Sequence, residues 1–156
     1  MTGAIRFSGG SAGNVRVVHI LVAADVDYVI NDIVSALSGP DTSFTICYEG
    51  RDVSPIVAKR TPDLIILDLQ IGSMGGMAAT MALRLDASAG NAPDVKILML
   101  LDRKADIHLA KRSAANAWLV KPFDVLTLQR AVQQALTEPV KAPVVDLAES
   151  EPVAAG

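Results

Sequence analysis

Five short, almost continuously apolar runs recur along this chain, and stretches with helical apolar spacing separate them. That alternation constrains the fold more than any other feature of the sequence. The run from Val17 to Ala23 is interrupted only by His19. A strand with one wet face alternates apolar and polar residues, whereas a strand covered on both faces is apolar throughout. Next, Val26, Val29, Ile30, Ile33, Val34 and Leu37 fall on one stripe of a helix, which Gly39 and Pro40 end. Phe44 to Tyr48 predicts a second strand. Ser54 and Pro55 have the chemistry of an N-cap and a first helical residue, opening a helix that reaches about Arg60. Leu64 to Asp68 predicts a third strand ending in a carboxylate. A Gly-rich loop and a helix from Gly76 to about Leu85 follow, with Met74, Met77 and Met81 as its core stripe. Lys96 to Leu101 predicts the fourth strand, Ala105 to Ser113 a short helix, and Trp118 to Val120 the fifth strand. Asp124 then caps a last helix with Val125, Leu128, Ala131, Val132 and Leu136 inward.

Five such strand–helix units place the chain in the α/β class, as a (βα)5 doubly wound parallel sheet with five strands. Right-handed crossovers restrict the connections. In sheets of this kind the functional groups gather at the carboxyl ends of the strands. The residues to read are therefore Ala24, Asp25, Asp68, residues 99–102 and Lys121. The patterned stretch, residues 15–136, is expected to be one domain. The Gly-, Ser- and Ala-rich residues 1–14 and the Pro- and Ala-rich residues 137–156 are expected to be tails. The C-terminal tail is too short for a helix-turn-helix, so no output domain is expected.

Composition removes several function classes. The hydrophobic fraction is 51%, enough for a core, but aromatics are only 4%, so Val, Ile, Leu, Met and Ala must build it. A net charge of −3 leaves no broad basic surface for nucleic acid. One cysteine, Cys47, cannot form an internal disulfide and is expected to pack as a small apolar residue in a cytoplasmic protein. No run approaches the roughly 18–20 apolar residues of a spanning helix, so no direct membrane insertion is expected; docking to a membrane complex is left open. His19 and His108 have no second ligand at metal spacing. Residues 72–76 lack the G-x-x-x-x-G-K-[ST] pattern of a phosphate loop. Asp25 and Asp27 after the first strand would repel the phosphate of a nucleotide or flavin cofactor.

Four segments together are specific. Ile20 to Asp25, Pro62 to Asp68, Met74-Gly75-Gly76 and Trp118 to Phe123 resemble the response-regulator receiver domain of two-component signalling. The resemblance implies a flavodoxin-like receiver fold with strand order 2-1-3-4-5. It implies that Asp68 is the phospho-acceptor and that Lys121 pairs with the acceptor and phosphoryl oxygens. It implies a Mg²⁺ site from the Asp25 and Asp68 carboxylates and the Gln70 carbonyl, hard oxygen ligands for a hard ion. The Lys121–Pro122 peptide is cis in this family.

The sequence departs from the family at switch positions. Receivers usually carry two adjacent acids after the first strand; here the first is Ala24, with Asp27 as a substitute further on. The Thr or Ser at the end of the fourth strand is Leu101, and the small residue after it is Asp102. Losing the hydroxyl forfeits about 1.5–3 kcal/mol of bonding to a charged oxygen. A carboxylate about 6 Å from a phosphoryl charge costs roughly 3 kcal/mol at an effective dielectric near 20. The converse is a salt bridge from Asp102 to Lys121, holding the site closed without phosphate. The Pro commonly found four residues after the acceptor is Gly72, and the switching aromatic is Trp118. Arg103, Lys104, Lys111 and Arg112 read as a solvated face or, with Trp118, as a protein-docking surface on the fourth helix, fifth strand and fifth helix. The expected function is an interaction module, a regulatory or accessory subunit with impaired phosphorylation switching. Mg²⁺ binding is then weak and no cofactor is required. Any chemistry is limited to phosphoryl acceptance and slow autodephosphorylation at Asp68. The alternative is a phospho-accepting regulator served by a histidine kinase.

Overall fold

In the computed structural model, which describes residues 17–138, β3 (Leu64–Asp68) is the middle strand of a five-stranded sheet and is buried along its whole length. Its neighbours are β1 (Val18–Ala23) and β4 (Lys96–Leu101), and the edges are β2 (Thr42–Cys47) and β5 (Ala117–Val120). All pairings are parallel, in the order β2-β1-β3-β4-β5 that the receiver resemblance implies. Residues 1–16 and 139–156, which hold nearly all of both expected tails, lie outside the described residues.

Side chains alternate between the two faces of the sheet, as the period-two geometry of a strand requires. Ile20, Val22, Leu64, Ile66, Leu98 and Leu100 pack under α1 (Asp27–Leu37) and α5 (Val125–Thr137). Leu21, Ala23, Ile65, Leu67, Ile97, Met99 and Leu101 pack under α2 (Val53–Lys59), α3 (Gly76–Ser88) and α4 (Ile107–Arg112). Burying each large aliphatic side chain stabilises the fold by about 1.5–3 kcal/mol. The register then aligns the strand ends: Ala23 pairs with Leu67, Asp68 with Leu100, and Leu101 with Val120. Asp25, Asp68, Asp102 and Lys121 therefore emerge at one end of the sheet.

Several boundaries differ from the sequence expectation. β2 covers Thr42–Cys47, and Tyr48 is 56% exposed beyond it. A 3₁₀ turn, Gly50–Asp52, leads into α2, so Ser54 and Pro55 lie inside the helix instead of capping it. α3 continues to Ser88, because the first left-handed residue that can end it is Gly90 (φ 80°). Met74 precedes α3, whose fully buried side is Gly76, Ala79, Thr80, Leu83 and Arg84; of the methionine stripe, Met77 is partly buried and packs against the core. A second 3₁₀ turn, Lys104–Asp106, leads into α4. Asp124 caps α5 as expected, its Oδ1 accepting the Thr127 N–H at 2.7 Å. Within α5, Ala135 takes an inward place, Leu136 is only partly buried, and Val125 lines an open groove with Asp32 and Ala36 of α1 and Phe123 of the β5–α5 connection.

Candidate functional site

Lys121 follows β5 directly. Its N–H donates to the Leu101 carbonyl at 2.7 Å, and its peptide bond to Pro122 is cis, as the resemblance implies. From there Nζ reaches two carboxylates, Asp68 Oδ2 at 2.6 Å and Asp102 Oδ1 at 2.9 Å. The converse arrangement set out from the sequence, a bridge from Asp102 to Lys121, is thus the one formed. Asp68 is buried at the end of β3, and its other oxygen, Oδ1, accepts the Gln70 N–H at 2.9 Å. Burial of Lys121 works against its charge. The hydrogen bonds to Asp68 and Asp102 outweigh that, so its pKa lies above the ordinary lysine value. Charge-assisted bonds of this kind are about twice as strong as neutral ones.

Asp25 stands beyond the end of β1, exposed, and its Oδ2 accepts the Gly72 N–H at 2.9 Å. Ala24 is fully buried in the core against α1, so that position belongs to packing. Asp27 is exposed as the first residue of α1, where a carboxylate favours the helix N-terminus. It does not complete an acidic trio with Asp25 and Asp68: among the described residues no three His, Cys, Asp or Glu side chains gather to hold one ion. The expected substitution of Asp27 for Ala24 is therefore not made. Leu101 is fully buried with Leu67 and Met99, and its aliphatic side chain brings no donor to the site. The donor set present, two carboxylates and the Gln70 carbonyl, fits a hard dication in kind. Both carboxylates already accept hydrogen bonds from the protein.

The loop after Asp68 is ordered by close backbone approach. Gly50 donates its N–H to the Gly72 carbonyl at 2.9 Å, and a Cβ on Gly50 would fall 1.7 Å from the Met74 oxygen. A Cβ on Gly76 would fall 2.6 Å from the Asp68 carbonyl oxygen, so both positions require glycine. Sequence reading missed Gly50.

It also missed Arg84, a fully buried guanidinium on α3. Arg84 donates from Nε to the Ala114 carbonyl (3.0 Å), from Nη1 to the Val95 carbonyl (2.5 Å) and from Nη2 to Asn116 Oδ1 (2.7 Å). Asn116 Oδ1 also takes the Ile97 N–H at 2.7 Å. This network ties α3 and β4 to the turn that feeds β5, and hence Lys121. The signal was a charged residue next to Leu83 on the inward face of a helix.

The residues expected to form a docking surface differ in exposure. Trp118 is half-buried, packed on the core beneath α4, with Lys111 Nζ 5.6 Å from its ring centroid. Arg103 is committed to Asp106 at 2.8 Å. Lys104, Lys111 and Arg112 are exposed. Trp118 is therefore packed against the core and is not a free, exposed aromatic.

The family model for the response regulator receiver domain matches residues 20–133. Among curated proteins, the chain is similar to the regulatory protein LuxO of Vibrio cholerae, 30% identical over 112 residues, 69% of this chain and 23% of LuxO. It is likewise 30% identical over 87 residues to the protein PilH of Pseudomonas aeruginosa, 56% of this chain and 71% of PilH. The chain thus spans about a quarter of the length of LuxO and most of that of PilH. Among solved structures, the chemotaxis response regulator CheY4 of Vibrio cholerae shares 25% identity with a TM-score of 0.67, over 76% of this chain and 98% of CheY4. No helix among the described residues is long and apolar enough to cross a membrane.

Proposed function

The chain belongs to the response regulator receiver domain family, and on that premise we propose that it serves as a protein-interaction module whose phosphorylation switch is opposed from within the site. One observation carries this reading: the Lys121 ammonium is shared by Asp68 and Asp102. In the proposed roles Asp68 is the phospho-acceptor and Lys121 its charge partner. Asp102 already supplies Lys121 with the anionic oxygen that a phosphoryl group would offer. It also places a second negative charge beside the acceptor, and Leu101 provides no hydroxyl to draw toward a phosphoryl oxygen. Asp25, Asp68 and the Gln70 carbonyl would hold Mg²⁺, whose charge would offset that of an incoming phosphoryl group. Partner contact falls to Trp118, Lys104, Lys111, Arg112 and the Arg103–Asp106 pair.

Treatment with acetyl phosphate, or with beryllofluoride and Mg²⁺, tests the switch through Trp118 fluorescence. Little response is expected at millimolar Mg²⁺. Affinity capture tests the interaction: Asp68→Ala should recover the same stoichiometric partner as the wild type, while Lys111→Glu and Trp118→Ala should lose it. Recovery that depends on phosphorylated Asp68 would overturn the proposal. It would favour the second reading, a phosphorelay receiver served by a histidine kinase, which the retained Asp25, Asp68 and Lys121 support.

A further inference from the structure

We infer that the Gly72 amide is a latch on Asp25 and that this latch weakens the site for a divalent cation. The inference deepens the proposed function, since that reading makes Asp25 a metal ligand. Asp25 is exposed just beyond β1, where its carboxylate could otherwise turn between solvent and an ion. Instead its Oδ2 accepts the Gly72 N–H at 2.9 Å. Proline has no amide hydrogen. With the proline that receivers commonly carry at this position, the bond could not form.

The donor is held in place from both sides. Ile71 before it is buried, and the Ile71 N–H donates to the Asp68 carbonyl at 3.1 Å. The Gly72 carbonyl is held by the Gly50 N–H at 2.9 Å. Gly72 also leaves room for the carboxylate, because a Cβ there would lie 3.1 Å from Asp25 Oδ2. A fixed donor and a short, exposed acceptor meet at little entropic cost. A cation must then share or displace a charge-assisted bond to use that oxygen. Gly72 does to Asp25 what Asp102 does to Lys121. Each retained polar group is satisfied by a residue at which the chain departs from the family pattern.

Mg²⁺ titrations of the full chain by calorimetry, comparing wild type, Gly72→Ala, Gly72→Pro and Asp25→Ala, test the latch. Both substitutions at Gly72 add the crowding Cβ, but only proline removes the amide hydrogen. Gly72→Pro should bind Mg²⁺ about tenfold more tightly than Gly72→Ala, the scale of one hydrogen bond to a charged acceptor. Asp25→Ala should abolish binding. Equal affinities for the two Gly72 variants, or no binding by a folded Gly72→Pro, would overturn the latch. Should Gly72→Pro not fold, the wild-type Gly72 amide resonance decides the matter. It should move upfield as Mg²⁺ saturates the site, and an unmoved resonance at saturation would overturn the inference. Failure of the broader reading shows separately, as tight beryllofluoride binding by the wild type, whatever the ratio between the Gly72 variants.

Discussion

Replacing Asp102 removes one of the two carboxylates on the Lys121 ammonium, and the consequence can be worked from the geometry. Both bonds meet at Nζ, so the two acceptor oxygens lie no further apart than 2.6 and 2.9 Å laid end to end, about 5.5 Å. Two unit charges at that separation repel by about 3 kcal/mol at an effective dielectric near 20, and by under about 1 kcal/mol in bulk water. The Asp102 side chain is 47% exposed and that of Asp68 only 2%, so the operative value is intermediate, about 1–2 kcal/mol. A phosphoryl group on Asp68 adds about one further negative charge near the same place and meets that repulsion. Asp102→Ala should therefore bind beryllofluoride, at fixed Mg²⁺, about five- to thirtyfold more tightly than the wild type. Asp102→Asn should behave similarly, because charge and not bulk opposes the phosphoryl mimic. Trp118 fluorescence reads the titration. Loss of a partly exposed ion pair should cost under about 1 kcal/mol of folding stability, so both variants should keep the native fold. Unchanged or weaker binding by both folded variants would refute the reasoning.

Three further outcomes follow from the core. Arg84→Met strands the Val95 and Ala114 carbonyls and should lower stability by about 2–4 kcal/mol in urea denaturation; a loss under about 1 kcal/mol would refute a structural role for the buried guanidinium. Ala114 ends α4 in a left-handed conformation (φ 68°), so Ala114→Gly should raise stability by about 0.5–1 kcal/mol, offset in part by the lost methyl contacts, and a fall would refute the strain. His19 is buried, and desolvation, then the charge of Arg60, lowers its pKa against the opposing pull of Asp63. Its neutral form is favoured in the folded chain, so this contribution is fully present above the ordinary value of 6.5 and is lost as pH falls from there through the lowered folded value. His19→Gln should flatten that part of the stability profile measured by urea denaturation against pH, and an identical slope would refute it.

The elements that sequence reading located best are those with the strongest local signals. β3 and β4 match their apolar runs end to end, and Asp124 caps α5 through its own side chain. Boundaries slipped where local signals competed. Ser54 and Pro55 have the chemistry of a helix start, yet the helix begins earlier, behind a 3₁₀ turn whose glycine must approach the loop before α3. Arg84 was passed over because nothing nearby in the chain announces its partners, which lie up to 32 residues away.

By itself the sequence determined the α/β class, the strand runs, and the residue types available at the strand ends, because apolar periodicity and caps act over one or two turns of chain. It also named both possible consequences of Asp102, repulsion of a phosphoryl group and capture of Lys121. Only the tertiary structure decided which partners these groups take. Lys121 meets Asp68 across 53 residues, and Asp25 meets the Gly72 amide across 47. Those meetings depend on parallel register, which sets strand ends side by side, and on glycine positions where backbones touch. Neither is written in any local window. The physical reason is that a hydrogen bond is settled by tenths of an ångström, and packing of the whole sheet sets that distance.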